Sequence, residues 1–249
     1  MIYLSICTRE ENKDSDTLQK LTNYSKTIHS MYLAEEIHHS VAYNASSIYE
    51  GHKSNIKKFI KGSESLNDED IIVFVHDDVE ILSSPESFCR LLDVARRPKV
   101  GFVGVAGATN FTSNGAWWTA RQTGEARGFV FQGKDDETMD PNYFGRPGQV
   151  TVLDGCFFAA TYKVVKDVGL DQPDYLSSGW DYYDIHMTFL AHYKGYNNYT
   201  IPILIRHESS GQMRKGWYNA KDEFMRKWNR DIPCKIPVDK TVGLPKWKN

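Results

Sequence analysis

Ile71-Ile72-Val73-Phe74-Val75 is apolar at every position, and His76-Asp77-Asp78 follows it directly. A half-exposed strand alternates apolar and polar residues, whereas a strand covered on both faces, as in a parallel sheet, does not. Residues 71–75 therefore predict a central strand of an α/β sheet. Ligands in open α/β sheets bind beyond the carboxyl ends of the strands. His76-Asp77-Asp78 falls at that address.

The elements on either side agree. Ile2–Thr8 and Val100–Val105 are further apolar runs and predict buried strands. Residues 36–43 predict another. Loose helical periodicity covers 14–31, and a clearer apolar stripe (Ile48, Ile56, Phe59, Ile60) marks a helix over Ser46–Gly62. Pro85–Arg97, Tyr162–Val168 and Tyr182–Lys194 predict helices, the last closed by Gly195. Val150–Thr161 predicts a strand with Asp154-Gly155 inside it, and Tyr199–Arg206 a strand ending at His207. Residues 107–150 are rich in Gly, Asn and aromatics and show little periodicity, which marks a functional loop region or short strands without a readable pattern. Alternating strands and helices give an α/β fold: a mixed, mostly parallel sheet with helices on both faces, in a single domain.

Composition sets limits on function. The chain has 249 residues, 41% hydrophobic and 25% charged, enough for a core without disulfide or metal staples. Its four cysteines, Cys7, Cys89, Cys156 and Cys234, lack zinc-like spacing, and Cys7 and Cys156 lie in apolar runs. This suits a reducing compartment, and the expected location is cytoplasmic. The first residues lack the pattern of a signal peptide, and no run approaches a membrane span. Net charge is -2, yet residues 201–249 carry 11 Lys/Arg against 5 Asp/Glu. That basic end would meet phosphates or an anionic membrane surface in peripheral contact, or simply form a solvated face. Nothing points to nucleic acid. Sequons at Asn44, Asn110 and Asn198 read as chance.

Side chains alternate along a strand, so His76 and Asp78 should share one side and Asp77 take the other. Adjacent carboxylates repel and call for a cation or a donor. Oxygen ligands favour Mg²⁺ or Mn²⁺, and an imidazole among them favours Mn²⁺. The plain alternative is a solvated acidic turn. His207 shares the topological address and is a candidate partner of Asp78. Asp181 and Asp184 sit three apart at a helix start. Asp181 reads as the cap, and Asp184, one turn in, as the candidate base. Trp117-Trp118 are either sugar-stacking platforms or core. Asp154-Gly155 suggests close backbone approach at a pocket floor.

FVHDDVEI, VGFVGVAGA, the Trp pair, LDGCFFAATYKVV, GWDYYDIHMTFLAHYKGY and IRHESSG occur in this order, with KW near the end. From about residue 40 to 230 the chain resembles the glycosyltransferase-like branch of the family-two enzymes, which have the GT-A fold. The resemblance implies a nucleotide-binding half over 1–106, an acceptor and metal half over 107–230, and a tail over 231–249. His76-Asp77-Asp78 falls at the family's DXD-type motif, with His76 in place of the first carboxylate. It makes Asp78 a metal ligand, with His207 and His76 beside it and Asp77 at the ribose or a metal-bound water. Asp184 matches the base, although Tyr183 stands where many relatives have Glu, and Asp181 is the second catalytic candidate. Asp154 would contact sugar or acceptor. Thr8, Arg9 and Asn44 match the nucleobase region.

The implied reaction is metal-dependent, inverting transfer from a nucleoside-diphosphate sugar, a UDP-sugar favoured, with Mn²⁺ or Mg²⁺. The acceptor would be a saccharide or a lipid-linked glycan. Arg206, Arg214 and Lys215 are candidate phosphate partners, and residues 208–217 a candidate lid. A nucleotidyltransferase fits poorly, because Thr8-Arg9-Glu10-Glu11 is acidic and lacks glycine. A metal-dependent hydrolase needs more ligands than can be placed. A non-catalytic carbohydrate-binding protein, with a degenerate metal site, is the remaining alternative.

Overall fold

The computed structural model describes residues 1–8, 14–29, 37–62, 65–209 and 213–236. In chain order these form β1 (Ile2–Thr8), α1 (Asp16–His29), β2 (Ile37–Tyr43), α2 (Ile48–Gly62), β3 (Ile71–His76), β4 (Val79–Ile81) and α3 (Pro85–Leu92). Next come β5 (Val100–Gly104), β6 (Ala106–Ala108), β7 (Asn110–Phe111), β8 (Ala126–Gln132), β9 (Asp140–Gly145), β10 (Gln149–Val150), β11 (Val152–Leu153) and β12 (Phe157–Thr161). The described chain closes with α4 (Tyr162–Val168), α5 (Tyr183–Tyr193), β13 (Asn197–Thr200), β14 (Ile205–His207), α6 (Lys215–Lys227) and β15 (Cys234–Lys235).

A seven-stranded sheet in the order β10-β13-β5-β12-β3-β1-β2 forms the centre. β2, β1 and β3 run parallel, β12 runs against β3 and β5, and β13 lies parallel to β5. The sheet is therefore mixed and mostly parallel. The unbroken apolar run of β3 supplies two cores. Ile71, Val73 and Val75 join the cluster of Leu18 and Leu21 from α1 and Phe88 and Leu92 from α3. Ile72 and Phe74 join Ile56 and Phe59 from α2, Val164 from α4 and Met187 from α5. Phe74 stacks on Phe158 at 4.9 Å, and burial of such a ring stabilises by about 1.5–3 kcal/mol. Ser84 starts α3 by accepting from the Ser87 N–H at 3.3 Å, with Pro85 at the first helical position.

A second sheet, β11-β6-β8-β14-β4 with β9 beside β8, lies off the end of the first. The chain passes from one sheet to the other at several short segments, among them Asp77-Asp78 and residues 201–204. Gly128 (φ 106°) makes one close approach possible, since a Cβ there would lie 1.9 Å from the Val105 carbonyl oxygen.

Two sequence expectations change, and one open alternative, short strands over 107–150, is met. The stretch 150–161 is not one strand: β10, β11 and β12 alternate between sheets, and Asp154-Gly155-Cys156 forms a turn. Residues 199–206 likewise divide into β13 and β14, one in each sheet. Residues 107–150 hold short strands and a 3-10 helix, Trp117–Thr123. Cys7, Cys89 and Cys156 are buried thiols, and Cys234 is half-buried. Asn198 is fully buried, with its amide donating to the Thr151 and Thr188 carbonyls at 2.8 and 2.7 Å, so it is a structural residue. No helix among the described residues is long and apolar enough to cross a membrane.

Candidate active site

β3 ends at His76, and Asp77-Asp78 turn the chain into β4. β14 pairs with β4 so that His207 lies opposite Val79, and the Glu208 N–H donates to the Asp78 carbonyl at 3.0 Å. This backbone frame brings together residues 131 positions apart in sequence. Ligand atoms of His76, Asp78 and His207 all lie within 4.8 Å of one another. Asp78 Oδ1 is 3.2 Å from His207 Nε2 and 3.8 Å from His76 Nδ1. Asp78 Oδ1 and His207 Nε2 are buried, yet neither has an aligned hydrogen-bond partner among the described residues; Asp77 Oδ2 shares that condition. Buried polar atoms are ordinarily paired. An orphan carboxylate oxygen and an orphan imidazole nitrogen, with His76 Nδ1 beside them, fit a divalent cation, Mn²⁺ better than Mg²⁺.

The charges agree. Burial pushes the Asp78 carboxyl up, but the neighbouring His207 and His76 outweigh it and hold the group down at about 2, so it is an anion. Burial works to lower His207, and Asp78 more than offsets this and raises it. Burial lowers His76 below its ordinary value despite Asp78, which keeps the ring neutral.

The turn after β11 forms the second part of the site. Asp154 Oδ2 accepts from the Trp117 indole N–H at 3.0 Å, and Asp154 Oδ1 accepts from the Cys156 N–H at 2.9 Å. Gly155 allows α5 to close in: a Cβ there would sit 2.9 Å from both Asp184 Cβ and Tyr183 Oη. Asp184 lies in the first turn of α5 rather than one turn in. Burial, and then the Asp154 charge, push its carboxyl up to about 7, while the N–H groups of Ile185, Asp184 and Gly155 pull the other way. The helix terminus favours the anion, but burial wins. The result is a carboxyl poised near neutrality.

Asp181 is not the cap. Tyr182 occupies the N-cap position in the left-handed region (φ 67°), without a side-chain cap bond. Asp181 Oδ2 accepts from Ser178 Oγ at 2.6 Å instead, under Gly216 at the start of α6. Trp117 is buried and braces Asp154, whereas Trp118 is half-buried against Trp217 at 5.4 Å. Thr8 is buried at the end of β1, one residue beyond the Cys7–His76 pairing. Asn44 is exposed just after β2, with φ 53°.

Arg9 lies outside the described residues, as does part of the candidate lid, residues 210–212. Arg214 is exposed at the start of α6, and Lys215 is exposed beside it. Arg206 is not available to a phosphate: it is buried, paired with Glu80, and 2.7 Å from Asp136. One participant escaped the sequence reading. Tyr183 is a working contact of the site, since its hydroxyl lies 3.0 Å from His76 Nε2. Its signal, a residue before a helix-start Asp, was visible only as spacing. Gly155 makes the close backbone approach that Asp154-Gly155 suggested.

The glycosyltransferase-like family model matches residues 22–236, and the chain belongs to that family. No curated protein matches it. Among solved structures, GalNAc-T7 with UDP, GalNAc and Mn²⁺ is similar at a TM-score of 0.50 and 9% identity, over 92% of this chain. This chain spans 47% of that protein's length. A197 from STIV is similar at a TM-score of 0.42 and 11% identity, over 86% of this chain and 96% of that one. The fold is that of the GT-A glycosyltransferases.

Proposed function

We propose that the protein transfers a sugar, with inversion, from a nucleoside-diphosphate sugar to a hydroxyl of a saccharide or lipid-linked glycan, using Mn²⁺ (or Mg²⁺) held by His76, Asp78 and His207. The observation that carries this reading is the convergence of orphan buried ligand atoms on a point served by the same turns that hold Asp184. A UDP-sugar is favoured, and the likeness to a protein crystallised with UDP and Mn²⁺ supports that choice.

The cation would neutralise the departing diphosphate. Asp184 takes the proton from the attacking acceptor hydroxyl, and its carboxyl near 7 suits a general base at neutral pH. Asp154, fixed by Trp117 and Cys156, faces Asp184 electrostatically and would hold a sugar hydroxyl. Thr8, Arg9, Asn44 and Asp77 would contact the nucleoside, Arg214 the diphosphate, and the open part of Trp118 a sugar face. Asp181 remains a supporting carboxylate, tied to Ser178. A groove of about 420 Å³ beside the cluster, lined by Gln132, Asp140, Asn142, Glu208 and Ser209, offers paired donors and acceptors for a saccharide acceptor. The protein would work in the cytoplasm, with its basic C-terminal region against an anionic membrane.

The test is UDP release from a panel of UDP-sugars with Mn²⁺, in wild type and in Asp78→Ala. Wild-type turnover that Asp78→Ala abolishes is the expected result. Equal rates in both, or no turnover in wild type with any donor, would sink the enzyme reading. Saturable sugar binding without turnover would then point to a carbohydrate-binding protein.

A further inference from the structure

We infer that Tyr183 is a positioning residue for His76: its hydroxyl fixes the neutral Nε2–H tautomer of that imidazole and leaves the Nδ1 lone pair to the cation. This rests on the reading of His76, Asp78 and His207 as a cation site.

The number of hydrogens available decides the direction of each bond. Tyr183 Oη lies 2.9 Å from the Gly155 carbonyl oxygen and 3.0 Å from His76 Nε2. A phenol has one hydrogen, and a peptide oxygen can only accept. If that hydrogen went to His76, the phenol oxygen and the Gly155 carbonyl would oppose lone pair to lone pair. The hydrogen therefore goes to Gly155, and Oη must accept from His76 Nε2–H. A neutral imidazole carries one N–H, so Nδ1 is bare. Nδ1 is the ring atom that faces Asp78 Oδ1, at 3.8 Å.

The phenol is held firmly enough to impose this choice. Tyr183 is 3% exposed and sits among Phe158, His52 and Tyr49. Burial keeps its hydroxyl far above its usual ionisation range, so the hydrogen stays on. Gly155 is pinned through its other peptide unit as well, because its N–H points to the Asp184 carboxylate. A ligating imidazole ordinarily has its far nitrogen fixed in this way, and loss of such a partner weakens metal affinity about 10–100-fold.

The test is a manganese titration followed by the EPR signal of free Mn²⁺, on wild type, Tyr183→Phe, His76→Asp and the double variant. Tyr183→Phe should bind Mn²⁺ about 10–100-fold more weakly, while it stays folded with a modestly lower metal-free melting temperature in both backgrounds, because the Gly155 carbonyl loses its partner in each. In the His76→Asp background the same change should leave affinity unaltered, because a carboxylate has no tautomer to fix. Histidine-ring ¹⁵N NMR of the metal-free wild type should show His76 as the Nε2–H form. Wild-type affinity in Tyr183→Phe, equal losses in both backgrounds, or an Nδ1–H ring each overturn the inference. Failure of wild type to bind Mn²⁺ instead overturns the cation reading, and the ring spectrum, which needs no metal and no variant, still decides the hydrogen bond.

Discussion

The two sheets follow different rules. The centre of the seven-stranded sheet is built of apolar strands buried on both faces, with β1, β3, β5 and β12 buried at nearly every position. The second sheet uses strands of two to seven residues, and its hairpin β8–β9 is largely half-exposed or exposed. Yet the ligands and acids come from neither interior. Asp78 stands where the chain leaves the first sheet for the second, Asp154 where it returns, and His207 at the far end of β14. The large sheet supplies rigidity, and the passages between sheets supply the chemistry.

Substitutions can break that division. The largest effect belongs to the acid that packs on the Asp154-Gly155 passage: Asp184→Asn should cut turnover by about 10²–10⁴-fold, as loss of a general base does. The same change should raise the melting temperature by more at pH 8 than at pH 5. Burial raises the Asp184 carboxyl, so the folded state is penalised progressively as pH climbs from the unfolded value near 4 and fully above about 7, and a neutral amide removes the penalty. A pH–rate profile of wild type should rise through about 7 for the same reason. In the large sheet, Phe74→Ala should cost about 3–5 kcal/mol in urea unfolding. The exposed Tyr143→Ala on β9 should shift stability by no more than about 0.5 kcal/mol. If the two losses were similar, the contrast between the sheets would be wrong.

Gly155→Ala should lower stability by about 1–3 kcal/mol, because the new methyl group meets both Asp184 and Tyr183. Its effect on turnover should exceed its effect on melting. The smallest effect is in acid. Burial lowers His52 to about 3 and His186 to about 4, so the folded protein holds both neutral. Their contribution is complete above the unfolded value near 6.5 and fades as pH falls towards 4 and 3. Melting temperature should decline over that window, and less steeply in His186→Gln.

The same division decides what could be read from sequence. Ile71–Val75 was legible because each residue has a core to enter, and the strand's end then located His76 and Asp78. The partnership of Asp78 with His207 was legible only as a shared address at strand ends. Residues 107–150 were opaque because strands such as β6 and β7 are too short for a period, and because Gly128 replaces pattern with backbone geometry. The strand expected over 199–206 failed for a related reason: its apolar residues enter two different sheets. Asp184 was legible as a candidate base beside a capping Asp181, but its raised carboxyl was not, since burial against Gly155 and Tyr183 is a tertiary effect. His76 and Tyr183 were each noted as departures from the family's acidic motifs, and only the fold shows that the two departures touch.

Arg206 carries a consequence of a different kind. Along β14 it faces opposite to His207, and it is buried with Glu80 directly across the ladder and Asp136 beyond. A slip of this three-residue strand by one position would turn the guanidinium towards Asp78 and the imidazole away. Burying an unpartnered guanidinium is far more costly than exposing an alanine or a valine, so a slipped pairing is penalised before any ligand arrives. The ion pair thus acts less as glue than as a proofreader of alignment, and it guarantees that position 207, and no neighbour, presents itself to the acidic turn.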